Sequence, residues 1–314
     1  MNLSPVEIAR KNLEYVPKHL GDLYISLIAK TYFVRGLYSR GRLANAFGNL
    51  CARAGSVDSL CKGVCILEQG EAGLRERLFR YGGVDGRMDL NIPFLNITQV
   101  LQFLALSSCA PATPTISELV GRIREVRTFI ILSDISISGN SLSAELDAVN
   151  RVVGAFSLDP AGVRVIVSVL CGTANSVRKL SGRASDILIH ETIPDVYALR
   201  PNSPSGEPMG WSKSQLAELV KWFAETVVDE NSLLSRMARS CNTPKSKEWG
   251  FGAEGWLIAT DENTPNNSLP LLWYGSPVHP YIPPYKRVSS MTYREESLDL
   301  GAAYWSIIQK GGWV

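Results

Sequence analysis

The chain has 314 residues, of which 45% are apolar and 20% charged, and a formal net charge of +2. Such a chain can bury a large core, is not dominated by disorder, and carries too little charge to imply a nucleic-acid surface. No stretch reaches the roughly 18 uninterrupted apolar residues that cross a bilayer, so no membrane partner is expected. Glu7, Arg10, Lys11 and Glu14 occupy the place of an apolar signal region. Six cysteines without a secretion signal fit reduced thiols and a cytoplasmic protein.

Residues 1–110 read as helical. Ser4-Pro5-Val6-Glu7 is a capping box with proline at the first helical position. From Leu20 to Cys51, apolar and aromatic residues including Leu23, Leu27, Ile28, Tyr32 and Phe33 recur at helical spacing, and glycines 36, 41, 48 and 55 divide the stretch. Cys61 and Cys65 are the only close cysteine pair; lacking a second Cys or His pair nearby, they read as small core residues on one helical face. Gly82 to Gly86 is a turn, and Asn96 to Leu106 another apolar helix. Residues 1–90 hold 13 Lys and Arg against 9 Asp and Glu, which suits an anionic partner or a solvated helix face.

Pro111-Ala112-Thr113-Pro114 marks a boundary, and Thr115 opens a second capping box and a helix to about Val126. An alternating rhythm follows: strand 128–132, helix 142–153, strand 163–171, a short helix from Asn175 and strand 186–191. Strands alternating with helices imply parallel pairing and right-handed crossovers. Beyond a turn-rich excursion from Pro201 to Pro208, Ser212 caps a helix to about Val228, Gly255 to Thr260 is a last strand, and residues 295–309 form a terminal helix. Three units are expected: a helical lobe (1–110), an α/β domain (111–287) and a helical extension (288–314).

Residues 129–142 carry the strongest chemical signal. The apolar run Phe129 to Leu132 leads to Asp134 and then to a small hydroxyl-rich turn, Ser136, Ser138, Gly139, Asn140 and Ser141. A strand, a small polar loop and a helix start bind phosphate, because unpaired amides at the helix start point at the anion and Gly139 lets the backbone come close. Asp134 suits a neighbouring sugar hydroxyl. The same pattern also fits an ordinary turn of a doubly wound sheet. It resembles the sugar-phosphate signature of type I phosphoribosyltransferases, in which a hydrophobic strand leads into two acids and a Thr/Ser-Gly-x-Thr/Ser loop. Asp134 matches the second acid, Ser138 to Ser141 match the loop, and Ser133 stands in place of the first acid.

A second constellation is Asn263-Thr264-Pro265-Asn266-Asn267-Ser268 with the Leu271-Leu272-Trp273 anchor. Its amides and hydroxyls suit either local Asx and ST turns or a stiff binding loop held by Pro265 and Pro270. From Gly250-Phe251-Gly252 through this run to Pro284-Tyr285-Lys286-Arg287, the sequence looks like a bacterial group of phosphoribosyltransferase-like proteins. These belong to conflict and anti-phage defence systems, some associated with reverse transcriptases as in retrons. The similarity covers about residues 125–287.

That resemblance implies an α/β fold of type I phosphoribosyltransferase-like character, a parallel sheet flanked by helices, here with an N-terminal all-helical lobe. It implies a ligand such as phosphoribosyl pyrophosphate or a nucleotide. Phosphate would lie on Ser138, Gly139, Asn140 and Ser141, with the ribose hydroxyls on a catalytic Asp134 that also serves Mg²⁺ indirectly. Asn263, Thr264, Asn266 and Asn267 would line the pocket. The implied activity is transfer or hydrolysis at the sugar anomeric carbon, as an effector in a defence complex whose protein partner could be a reverse transcriptase ribonucleoprotein. The alternative is a non-catalytic sensor of the same ligand. No pyrophosphate loop is recognisable before residue 111.

Of the three histidines (His19, His190 and His279), His190 beside Glu191 could be a base or a buried structural residue, and His279 beside Pro280 could edge the pocket or lie on a surface loop. Trp222, Trp249, Trp256, Trp273, Trp305 and Trp313 read as core anchors rather than base-stacking platforms.

Overall fold

Runs of β-branched and aliphatic residues set the architecture, because they pack well on a pleated surface and are buried on both faces of a parallel sheet. The computed structural model describes residues 3–56, 64–69, 74–82, 126–155, 158–199, 208–232, 234–236, 245–261, 264–265 and 267–285. In chain order its main elements are α1 (Pro5–Asn12), α2 (Gly21–Ala29), β1 (Tyr32–Val34), α3 (Arg40–Ala54), β2 (Val64–Gln69), α4 (Leu74–Tyr81) and β3 (Thr128–Ser136). There follow α5 (Asn140–Ala155), β4 (Arg164–Thr173), α6 (Ala174–Leu180), β5 (Asp186–Ile193), α7 (Lys213–Thr226) and β6 (Ile258–Thr260).

Strands β2, β3, β4 and β5 lie side by side in that order, all parallel, and β1 pairs with β6 in a separate parallel ribbon. Side chains alternate across β3. Phe129 and Ile131 pack with Leu142, Leu146 and Val149 of α5 and Leu180 of α6. Ile130 and Leu132 face the other way, onto Leu43, Phe47 and Leu50 of α3 and Leu78 of α4. The fold is therefore the expected α/β arrangement of a parallel sheet flanked by helices.

The N-terminal region departs from an all-helical lobe, because it contributes β1 and β2. Tyr32 and Phe33 belong to a strand, since Thr31-Tyr32-Phe33-Val34 is β-branched and aromatic and Gly36, at φ +60°, turns the chain after it. Cys65 sits in β2 rather than on a helix, and Cys61 lies outside the described residues. Gly41 and Gly48 do not interrupt α3: burying Leu43, Ala46, Phe47 and Leu50 outweighs their propensity cost of about 1 kcal/mol each. The expected helices over 96–106 and 295–309, that over 115–126 except its last residue Val126, the turn after Gly82 and most of the 201–208 excursion also fall outside the described residues.

A third core joins the two ends of the described chain. Tyr24 and Leu27 of α2 pack with Leu216, Leu219 and Phe223 of α7 and with Leu271, Leu272 and Tyr281. Within it, the buried Asn12 amide donates to the Tyr24 hydroxyl (2.9 Å) and to the Ile282 carbonyl (2.7 Å), and its oxygen accepts from the Ile282 N–H (3.1 Å). The Tyr24 and Tyr281 hydroxyls are 2.9 Å apart, and Tyr281 donates to the Leu271 carbonyl at 2.5 Å. Burial holds both phenols well above the usual range, Tyr24 at about 12.

Removing a partner from a buried polar network strands the groups left behind. Asn12→Ala is expected to lower the unfolding free energy by about 2 kcal/mol. Tyr285→Phe, which deletes the bond to the Ile28 carbonyl and the contact with the Thr31 side chain, is expected to cost about 1 kcal/mol. Urea unfolding midpoints check both.

Candidate functional site

Ligands of parallel sheets lie beyond the carboxyl ends of the strands. Register fixes which residues gather there. Ile135, Cys171 and Glu191 stand in one row across β3, β4 and β5, and Ser136, Gly172 and Thr192 form the next. Asp134 falls within β3 rather than just beyond it, because main-chain pairing continues to Ser136.

Asp134 is half-buried, and both its oxygens are engaged. Oδ2 accepts from the Tyr38 hydroxyl at 2.7 Å, and Oδ1 accepts from the Ile135 N–H at 2.6 Å. The Arg77 guanidinium lies 4.8 Å from the centre of the Tyr38 ring. Ser133 is buried, with its hydroxyl directed at the Ile135 carbonyl (3.4 Å).

After β3 the chain turns through Ser138 and Gly139 into α5. The Gly139 carbonyl accepts the first helical bond, from the Ser143 N–H at 2.8 Å, and the Ser138 hydroxyl accepts from the Asn140 N–H at 3.3 Å. Thus the first-turn amides belong to a helix start and not to sheet pairing. Gly139 has φ +70°, and a Cβ there would stand 3.2 Å from Ser176 Cα in α6. Thr173 secures the turn by donating to the Ile137 carbonyl (2.5 Å) while accepting from the Ser176 N–H. The Lys179 ammonium of α6 bonds the Asn140 side-chain oxygen, and α5 has no acidic residue in its first turn. Cationic charge therefore adds to the positive end of the α5 dipole. Asn140 and Ser141 are exposed.

The segment 32–42 lies across the carboxyl ends of three strands. Tyr38 reaches Asp134 of β3. Arg42 lies 3.6 Å from Cys171 Sγ of β4 and 2.6 Å from Glu191 of β5, and Tyr32 donates to Glu191 at 2.6 Å. The Asp261 carboxylate accepts from the Gly36 N–H at 2.6 Å. Burial, with Glu191 alongside, pushes the Cys171 thiol up to about 12 and raises the Tyr32 phenol further. Cys171 is therefore a protonated, unreactive thiol.

The second loop is anchored elsewhere. Thr264 is fully buried and Asn267 half-buried; Asn263 and Asn266 lie outside the described residues. The Asn267 carbonyl accepts from Trp256 N–H (3.1 Å), and Leu269 N–H donates to the Trp256 carbonyl (2.9 Å). Trp256 is completely buried, so the loop rests on the core between β6 and the sheet. Trp249 is likewise a core residue, Trp222 and Trp273 pack on its margin, and Trp305 and Trp313 lie outside the described residues. His19 pairs with Glu218 on the surface, and His279 accepts from the Tyr281 N–H in a turn. His190 lies 3.0 Å from the Ser168 hydroxyl and 3.3 Å from the Asn49 amide, under α3 and away from the loop.

Tyr38, Arg77 and Lys179, which no sequence pattern pointed to, are brought to the expected site from far along the chain. β2 is a parallel strand within the stretch expected to be helical; residues 70–73, which follow it, lie outside the described residues.

A model of the PRTase-CE family matches residues 90–287, well over half the chain. No curated protein and no solved structure matches.

Burial holds the His190 imidazole below its ordinary value of 6.5. The unfolded chain then takes up the proton more readily, so stability is full above about pH 6.5 and is lost as pH falls through that value toward the depressed one. Urea midpoints between pH 8 and pH 5 should show this fall, and His190→Gln should flatten it. Gly139→Ala should cost about 1–3 kcal/mol, from the positive φ and the close Ser176 backbone, in the same assay.

Proposed function

The chain belongs to the PRTase-CE family, and from that premise we propose that this phosphoribosyltransferase-like protein binds a ribose 5-phosphate ligand, such as phosphoribosyl pyrophosphate or a nucleotide. The observation that carries the proposal is the partly exposed helix start of α5, which follows β3 and its half-buried carboxylate. Phosphate lies on the amides and hydroxyls of Ser138 to Ser141 with Lys179 beside them, and the ribose hydroxyls lie on Asp134. Asn263, Asn266 and the half-buried Asn267 would complete the pocket or orient a base, whereas Thr264, fully buried, can only hold the loop in place. As an enzyme the protein breaks the bond from the anomeric carbon to its leaving group and passes the sugar to a base or water. Holding an oxocarbenium-like sugar in place supplies most of the rate.

Mg²⁺ suits this chemistry with help from the ligand. Asp134 offers one carboxylate, and among the described residues no cluster of three His, Cys, Asp or Glu could hold a metal. Asp134 would reach the ion through water, and the ligand's phosphate oxygens would supply the rest of its shell. When bound, the ion neutralises charge on a leaving pyrophosphate.

In its cellular role the protein is an effector or component of a bacterial defence system, with a protein partner such as a reverse transcriptase ribonucleoprotein. A second reading, a non-catalytic sensor that signals ligand binding to that partner, is favoured by Ser133. Its side chain is 4% exposed and directed at its own backbone, so it adds no second charge beside Asp134.

Asp134→Asn, or Ser138→Ala combined with Ser141→Ala, should abolish binding and turnover of labelled phosphoribosyl pyrophosphate and nucleotides while leaving circular dichroism and melting temperature near wild type. Lys179→Met should weaken binding about tenfold, as loss of one charge-assisted contact does. Wild-type binding in all three variants would rule out this site, and binding by the native protein without turnover would select the sensor.

A further inference from the structure

We propose that Tyr38, backed by Arg77, is a positioning residue that aims Asp134 at the sugar, so that the specificity of the site is set by residues outside the family-matched segment 90–287. This rests on the reading of Asp134 as the group that holds a ribose hydroxyl. Three observations carry it. The Tyr38 hydroxyl donates to Asp134 Oδ2 at 2.7 Å, and the Ile135 N–H holds Oδ1 at 2.6 Å, so the carboxylate plane is fixed from two directions. Arg77 stands 4.8 Å from the Tyr38 ring, where a cation is attracted to the ring face and strengthens the phenol as a donor. Tyr38 is only 9% exposed, so it acts through Asp134 and not on the ligand.

Its neighbours hold the segment that carries Tyr38. Tyr32 and Arg42 bind Glu191, and Asp261 binds the Gly36 N–H. A carboxylate aimed this way accepts from a sugar hydroxyl in one fixed direction. Discrimination between ribose and its deoxy analogue then depends on Tyr38.

The test uses the full chain, with ribose 5-phosphate and 2-deoxyribose 5-phosphate as probes in calorimetric titrations. Wild type should favour the ribose compound. Tyr38→Phe, which removes one oxygen, should reduce that preference about tenfold, the effect of losing a bond to a charged group. Arg77→Gln should reduce it less, and Arg77→Lys should restore it, because the ammonium can also lie over the ring. A purely structural role for Tyr38 would weaken both ligands equally and leave the preference unchanged. If Asp134→Asn abolishes binding of ribose 5-phosphate while Tyr38→Phe and Arg77→Gln keep the preference at the wild-type value, the positioning role is overturned and Asp134 stands. If wild type binds neither sugar phosphate, the reading of the site fails and this inference fails with it.

Discussion

Strand β3 is hydrogen-bonded along both edges and apolar on both faces, and the placement of the site follows from that. Phe129 to Leu132 are fully enclosed between α5 and α6 on one side and α3 and α4 on the other. No polar side chain can be accommodated there without a partner, so polar chemistry is displaced to the strand end. Asp134 is the first residue past that apolar run whose side chain carries charge. At its depth a carboxylate needs donors, and it finds them in Tyr38 and the Ile135 N–H. The turn that follows has to pass close to α6, and Gly139 permits the approach.

The family-matched segment does not complete this arrangement alone. The outer strand β2 and the covering helices α3 and α4 precede residue 90, and β1 supplies the only described partner strand of β6. The Tyr285 hydroxyl donates to the Ile28 carbonyl, and its ring stacks on Phe33. Together with the Asn12, Tyr24 and Tyr281 network, these contacts tie residues 269–285 to α1 and α2. Perturbing the early chain should therefore be felt at the carboxyl edge of the sheet, through the segment 32–42 that spans it.

Some of this was legible in the sequence. Apolar runs over 128–132 and 163–171, separated by a helical period, located β3, α5 and β4, and the small polar turn located the loop. β1 was hidden because three aromatic and β-branched residues inside a longer apolar stretch also satisfy helical spacing. Gly41 and Gly48 read as breaks because propensity is visible in the sequence and the burial of Leu43, Phe47 and Leu50 is not. Tyr38 and Asp134 are 96 residues apart, and no local pattern connects them. The direction of the Ser133 hydroxyl depends on side-chain geometry alone.

The charge pattern at the carboxyl edge argues for one orientation of the proposed ligand. Glu191 is another carboxylate at that edge, but Arg42 at 2.6 Å balances its charge and Tyr32 donates to it. Such a pair, self-neutralised at close range, leaves little field for a ligand to feel. What remains is unequal: Lys179 and the positive end of α5 at the loop, and on the other side Asp134, with Arg77 one ring away over Tyr38. A phosphorylated sugar set with its phosphate toward Asp134 would place two anions together. Reversed, the phosphate meets Lys179 and the helix start, and the carboxylate of Asp134 meets hydroxyl donors. The ends of the proposed ligand would thus be assigned by electrostatics in which α6 and the segment around Tyr38 take part along with the loop itself.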